Sequence, residues 1–184
     1  MWYNEFKHSR NNMSAINVPA NKNFLSPLGF RFVLTRAPNV SFNIQNVRIP
    51  GLTLNEITTP TPFIRIPNSD GLVYNPLSIT FRVSEDLDDY LEIHNWMVGL
   101  GAPESFDQYK ALQNIEPGNP QGIYSDITVL IMNSSMRPNI KVVFEDAFPL
   151  SIGDLEFNTT DTDVNYIQCT AEFTYLKYKI ELID

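Results

Sequence analysis

The segment "VNYIQCTAEFTYLKYKIELI", residues 164–183, constrains the fold more than any other stretch. Ile167, Cys169, Ala171, Phe173 and Tyr175 share one phase of a period-two pattern, while Leu176, Tyr178, Ile180 and Leu182 share the other. Alternation with period two is the mark of a β-strand with one buried face. Its inversion at Tyr175-Leu176 requires either one extra residue, a β-bulge, or a strand that leaves one sheet and enters another at a bend.

The rest of the chain reads in the same way. Phe30, Phe32 and Leu34 alternate with Arg31, Val33 and Thr35, and Val40, Phe42 and Ile44 alternate with Ser41, Asn43 and Gln45. With a turn at Ala37-Pro38-Asn39 between them, the two runs predict a hairpin. Pro50-Gly51 fits the centre of a type II turn. Residues 55–76 contain Pro60, Pro62, Pro67 and Pro76. Proline cannot donate to a central ladder, so this stretch is an edge strand or a protruding hairpin, with its expected tip at Asn68-Ser69-Asp70-Gly71. Phe63, Ile64, Ile66, Leu72, Val73 and Tyr74 flank that tip, and such apolar arms need cover from their own domain or from another subunit.

"LSITFRV" (77–83) is a clean alternating strand. Ser84 is the expected N-cap of a following helix, and Glu85, Asp86, Asp88 and Asp89 load its start with charge favourable to the helix dipole. Leu87, Leu91, His94 and Val98, with Tyr90 and Met97, make its expected apolar stripe, and Gly99, Gly101 and Pro103 end it. Residues 102–122 read as a long loop broken by a turn of helix at 107–112. Strands follow at 124–132 and over 140–157. The count is about eight strands and one helix. The expected fold is mainly β: two packed antiparallel sheets, a sandwich or partly open barrel, with one flanking α-helix. Residues 1–23 read as an arm carrying Trp2, Tyr3 and Phe6, and residues 24–184 as a single β domain.

Chemistry is hard to find. The 184 residues include two histidines, His8 and His94, and one cysteine, Cys169. His94 is expected to pack on the helix stripe, and Cys169 to be a core thiol. Zinc needs three or four clustered ligands. The acids at 85–89 are explained by the helix start, and "DTDVN" (161–165) lacks the glycine and distal glutamate of a calcium loop. No phosphate-binding or dinucleotide fingerprint is present. These observations predict no catalytic, cofactor or metal residues. The net charge of −8 opposes tight nucleic-acid binding, which draws its affinity from Lys and Arg on phosphate. The first twenty residues contain no apolar run of a secretory signal, and no stretch approaches the ~20 apolar residues of a spanning helix. The expectation is a protein without a signal or membrane span.

Taken in order, the features resemble the tail tube proteins of contractile-tailed bacteriophages. The match runs over about residues 28–182: strands ending "VRIPGLTL", the proline-containing hairpin feeding "PLSITFRVSEDLDDYLEIHNWMVGL", then "SDITVLIM" and "FEDAFPLSIGDLEF…CTAEFTYLKYKIE". The resemblance implies a virion protein, assembled in the host cytoplasm, that forms hexameric rings. Those rings stack into a tube through whose lumen the genome passes without specific binding. It implies self-association and contact with tail sheath, baseplate hub and tape-measure proteins. It also implies ring-to-ring contacts by the hairpin Glu56–Tyr74 and by Trp2, Tyr3 and Phe6. The longer arm and the proline-rich loop at 113–122 depart from the pattern. They leave open a hub or tube-initiator ring of the same fold. A carbohydrate-binding β-sandwich would need an exposed aromatic platform, which Trp96 on the helix and Trp2 on the arm are poorly placed to build.

Overall fold

The computed structural model describes residues 23–101, 105–113, 122–159 and 165–183. Nine strands and three helices lie among them. In chain order they are β1 (Phe30–Leu34), α1 (Pro38–Asn43), β2 (Ile44–Arg48), β3 (Leu52–Pro60), β4 (Arg65–Tyr74), β5 (Leu77–Arg82), α2 (Asp88–Gly101), α3 (Phe106–Gln113), β6 (Ser125–Met132), β7 (Pro138–Ile152), β8 (Gln168–Thr174) and β9 (Lys177–Leu182).

Two antiparallel sheets share the long strand β7. Its first part pairs with β6 and β9, and β6 pairs with β1. Its last part pairs with β8, which continues through β5 to β2. The bend between the two parts is a bulge. Ser125 faces Ala147 but Ile127 faces Phe144, so β7 carries one extra residue opposite Asp126. Asp146 takes a positive φ of 54° there, and its N–H donates to the Asp126 carboxylate at 3.1 Å. A freed backbone donor is thereby satisfied where the ladder breaks.

The phase inversion at Tyr175-Leu176 lies beside this bend. β8 ends in the second sheet at Thr174 and β9 begins in the first at Lys177, and Leu176 N–H donates to the Glu145 carbonyl at 3.0 Å. The inversion is therefore a change of sheet. The core lies between the sheets: Phe32, Leu34, Ile127, Val129, Val142 and Phe144 from one, Leu77, Ile79, Phe81, Cys169, Ala171 and Phe173 from the other. Each fully buried large aliphatic or Phe side chain contributes ~1.5–3 kcal/mol.

Several local expectations are corrected. Residues 38–43 form a short helix, with Pro38 in its first turn and Val40 buried. Proline's fixed φ suits a first helical turn, and β1 and β2 pair with β6 and β5 instead of each other. Gly51 has no positive φ, so Pro50-Gly51 is not a type II turn. Ser84 does not cap α2. A turn closed by Leu87 N–H on the Ser84 carbonyl at 3.0 Å, with Leu87 at φ 60°, delays the helix to Asp88. Its buried face is Asp89, Ile93, Trp96 and Gly99, with Leu91 and His94 exposed. Trp96 carries the largest apolar area on the helix and sets that rotation. Its indole N–H donates to the Ile123 carbonyl at 2.9 Å, its ring lies 6.2 Å from that of Phe173, and the Arg36 guanidinium sits 5.0 Å over it.

Candidate assembly interface

No group of three or more His, Cys, Asp or Glu side chains among the described residues could hold a metal. His94 is exposed and stacks on Tyr90 at 6.2 Å. Cys169 is buried in the core as expected, and that burial pushes its thiol above the ordinary value. Two carboxylates serve as struts. Asp89, 1% exposed, accepts from Ser84 N–H at 2.7 Å and from the Asn43 side-chain amide at 2.9 Å. Glu92 accepts from Asn39 N–H at 3.1 Å and from the Asn39 amide at 2.9 Å, closing the start of α1 from the neighbouring helix. Burial holds the Glu92 carboxyl above the usual range, against the opposing effect of those hydrogen bonds.

What the structure does present is an uncovered hairpin. β3 and β4 pair with each other in a separate two-stranded sheet and make no extensive contact with any other element. Every residue of both strands is exposed except Tyr74, which is half-buried. At ~3.4 Å per residue the arm reaches about 30 Å from its foot. Its tip is at Thr61–Ile64, where Thr61 N–H donates to the Ile64 carbonyl at 3.2 Å and Ile64 N–H to the Thr61 hydroxyl at 3.1 Å. The expected tip, Asn68–Gly71, lies inside β4. Glu56 faces Ser69 while Leu54 faces Leu72, so β4 absorbs one extra residue there as a bulge.

That bulge has a consequence for the apolar surface. Directly paired residues share a face of a hairpin. Near the foot one face carries Leu52, Leu54, Leu72 and Tyr74, and Val73 lies on the other. Beyond the bulge, Ile57 and Ile66 lie on the face of Val73, opposite to Leu54 and Leu72. At the tip Phe63 is 98% exposed and Ile64 67%. The hairpin therefore offers apolar side chains on both faces and at its end. Isolated two-stranded hairpins are marginal in water, and contiguous exposed apolar surface marks an interaction site.

Of the side chains singled out in the sequence, Phe63, Ile64, Ile66, Leu72, Val73 and Tyr74 come together on this one arm. Trp2, Tyr3 and Phe6 lie outside the described residues, as do positions 161–164 and most of the proline-rich loop. Sequence reading missed Phe24, Leu25 and Leu28, all exposed just before β1, and Ile180 and Leu182, exposed although they lie on the core phase of β9. Nothing in the alternation of β9 marks where the opposing sheet stops covering it.

A family model described as phage tail tube protein matches residues 9–181. The tail tube terminator protein of Enterobacteria phage T4 is 25% identical over 146 residues, which cover 70% of this chain and 78% of that protein. Among solved structures, one from the PVC sheath-tube complex of an extracellular contractile injection system in its extended state has a TM-score of 0.57 at 11% identity. The match covers 88% of this chain and 94% of the other. The tube-terminating cap of the anti-feeding prophage has a TM-score of 0.56 at 12% identity, over 93% of this chain and 100% of the cap chain. At such identities these likenesses show the fold.

Proposed function

The chain belongs to the phage tail tube protein family, and from that premise we propose that it is a structural subunit of a hexameric ring in the tube of a contractile phage tail. The family is structural, and the chain is not an enzyme. The observation that carries the finer reading is the uncovered arm β3–β4. An apolar hairpin that its own domain leaves bare gains its stability when a neighbouring copy covers it. A head-to-tail contact whose rotation closes generates a ring, and a ring supplies such a neighbour to every copy.

In this reading Phe63, Ile64, Ile66, Leu72 and Val73 are inter-subunit contacts, with Tyr74 at their base. Trp2, Tyr3 and Phe6, in the arm of residues 1–23 that precedes the single β domain of residues 24–184, are proposed as further inter-subunit contacts. The partners are further copies of the same chain, the sheath, the baseplate hub and the tape-measure protein. DNA passes through the lumen unbound, in keeping with the acidic balance of −8, and the protein resides in the virion tail.

A second reading is favoured by the T4 relative, which is named as a tube terminator: the ring formed by this chain is the one that ends the tube. Counting copies per purified particle by quantitative mass spectrometry separates the two. A number that grows with tail length supports the main tube, one ring's worth supports the terminator, and absence from the tail refutes both.

A further inference from the structure

The arm leaves the sandwich through two short links, Ile49–Gly51 and Asn75–Pro76, and three tyrosines hold those links. Tyr175 hydroxyl donates to the Asn75 carbonyl at 2.8 Å, at the foot of β4. Tyr178 hydroxyl donates to the Pro50 carbonyl at 3.5 Å, at the foot of β3. Tyr74 completes a triangle of rings, edge-on to Tyr175 at 5.9 Å and to Tyr178 at 5.8 Å, with Tyr175 and Tyr178 edge-on to each other at 6.1 Å. Phe144 backs the group from the core, 4.9 Å from Tyr175 and 5.4 Å from Tyr178.

The two clamping residues flank the crossover from β8 to β9, so the point where the chain changes sheet also grips the arm. Edge-to-face aromatic pairs and a buried hydroxyl with a partner resist rotation in a way that simple apolar contact does not. A tyrosine hydroxyl is a protonated donor at neutral pH, and burial pushes that of Tyr175 further up, to about 12. Pro50 and Pro76 add stiffness. Each has a fixed φ, and each restricts the residue before it to extended backbone.

Leverage makes this matter. On an arm of about 30 Å, a swing of roughly 10° at the foot moves the tip by about 5 Å. Apolar contact is lost beyond about 4.5 Å, so an arm free to swing would not find its seat reproducibly. We infer that Tyr74, Tyr175 and Tyr178 are positioning residues for assembly, locking the direction in which the β3–β4 arm leaves the sandwich so that the dispersed subunit already presents it preformed. The role in assembly rests on the ring reading above; the locked direction does not.

The test is a pair of spin labels on Thr58→Cys in the arm and Thr170→Cys on β8, measured by pulsed dipolar spectroscopy below the concentration at which the protein assembles. Cys169 is buried and stays unlabelled. The wild-type background should give one narrow distance distribution. Tyr175→Phe/Tyr178→Phe, which keeps the rings and removes both hydroxyls, should broaden it by several ångströms and raise the concentration needed for assembly about tenfold. Its thermal midpoint should fall by no more than about 10 °C. Tyr74→Leu, which removes the arm's own ring from the triangle, should broaden it further. A broad distribution in the wild-type background, or an unchanged width in a folded double variant, overturns the inference. A wild-type background that never forms rings but shows the narrow-to-broad change supports the clamp and tells against the ring reading alone.

Discussion

Replacing Ile64 and Ile66 together by Asp should abolish assembly and leave the subunit folded. Ile64 is 67% exposed and Ile66 46% exposed in the isolated chain. The exposed share of each side chain is what a neighbour has left to bury. Taking full burial of Ile as ~2 kcal/mol, that share is worth about 1.3 kcal/mol at Ile64 and about 0.9 kcal/mol at Ile66. Losing both removes about 2 kcal/mol per contact, roughly a thirtyfold weakening. Two carboxylates pressed into an apolar seat without partners cost several kcal/mol more. Because a ring repeats the contact around its circumference, the loss multiplies. The free subunit loses little, since surface substitutions at the far end of an arm that makes no extensive contact with other elements stay within about 0.5 kcal/mol each. The assay is sedimentation velocity beside thermal unfolding by circular dichroism. Wild-type protein should sediment as rings or tubes, and the variant as a folded monomer whose midpoint lies within a few degrees of wild type. Normal assembly by the variant would refute the reasoning. So would unfolding in step with the loss of assembly, because it would mean that the arm is part of the domain's own core.

The internal struts give sharper stability effects. Asp89→Ala strands the Asn43 amide and the Ser84 N–H inside the protein; it should cost about 2–4 kcal/mol by urea unfolding, with Asp88→Ala, on the exposed side of the same turn, within about 0.5 kcal/mol. Glu92 has its folded-state pKa raised by burial, so between the ordinary glutamate value and that higher one the folded chain holds a proton the unfolded chain has lost. Its contribution is therefore fully present below the ordinary value and declines as pH rises through the folded one, and Glu92→Gln should flatten that decline in a urea series from about pH 4 to 7. A Cβ at Gly99 would meet the Leu112 side chain at 2.7 Å, so Gly99→Val should push α3 off α2 and cost about 1–3 kcal/mol in thermal unfolding, with Leu112→Ala in the same chain recovering part of it.

Strand content and the phase inversion were legible because alternation reports burial directly; whether the inversion was a bulge or a change of sheet was decided by the pairing of β8 and β9 with different parts of β7. Cys169, Ala171 and Phe173 face the core, Leu176 does not, and the inversion between them is the crossover itself. The prolines excluded a central strand and left an edge strand or a protruding hairpin; the pairing of β3 with β4 alone makes it the hairpin. Its tip was not legible, because Asn68–Gly71 has the composition of a turn and is used as a bulge. The choice between turn and bulge is made by the pairing of Leu54 with Leu72, a tertiary fact. The helix face was misread for a related reason: Asp89 counts as polar in any pattern, yet it is buried because Asn43 and Ser84 meet it from other elements. The first hairpin failed because period two over Val40, Phe42 and Ile44 is too short to outweigh a proline placed where a helix can begin. At the candidate interface, the apolar residues of the arm could be named from sequence. The tyrosines that aim it could not, since their partners are backbone carbonyls distant in the chain.

The most direct measurement is a cryo-EM reconstruction of a phage tail containing this protein, resolved well enough to trace the β3–β4 arm. The expected result is a ring around the tube axis with Phe63, Ile64 and Ile66 of each copy buried against an adjacent subunit. An arm that points into solvent, or a protein that sits off the tube axis, would contradict it.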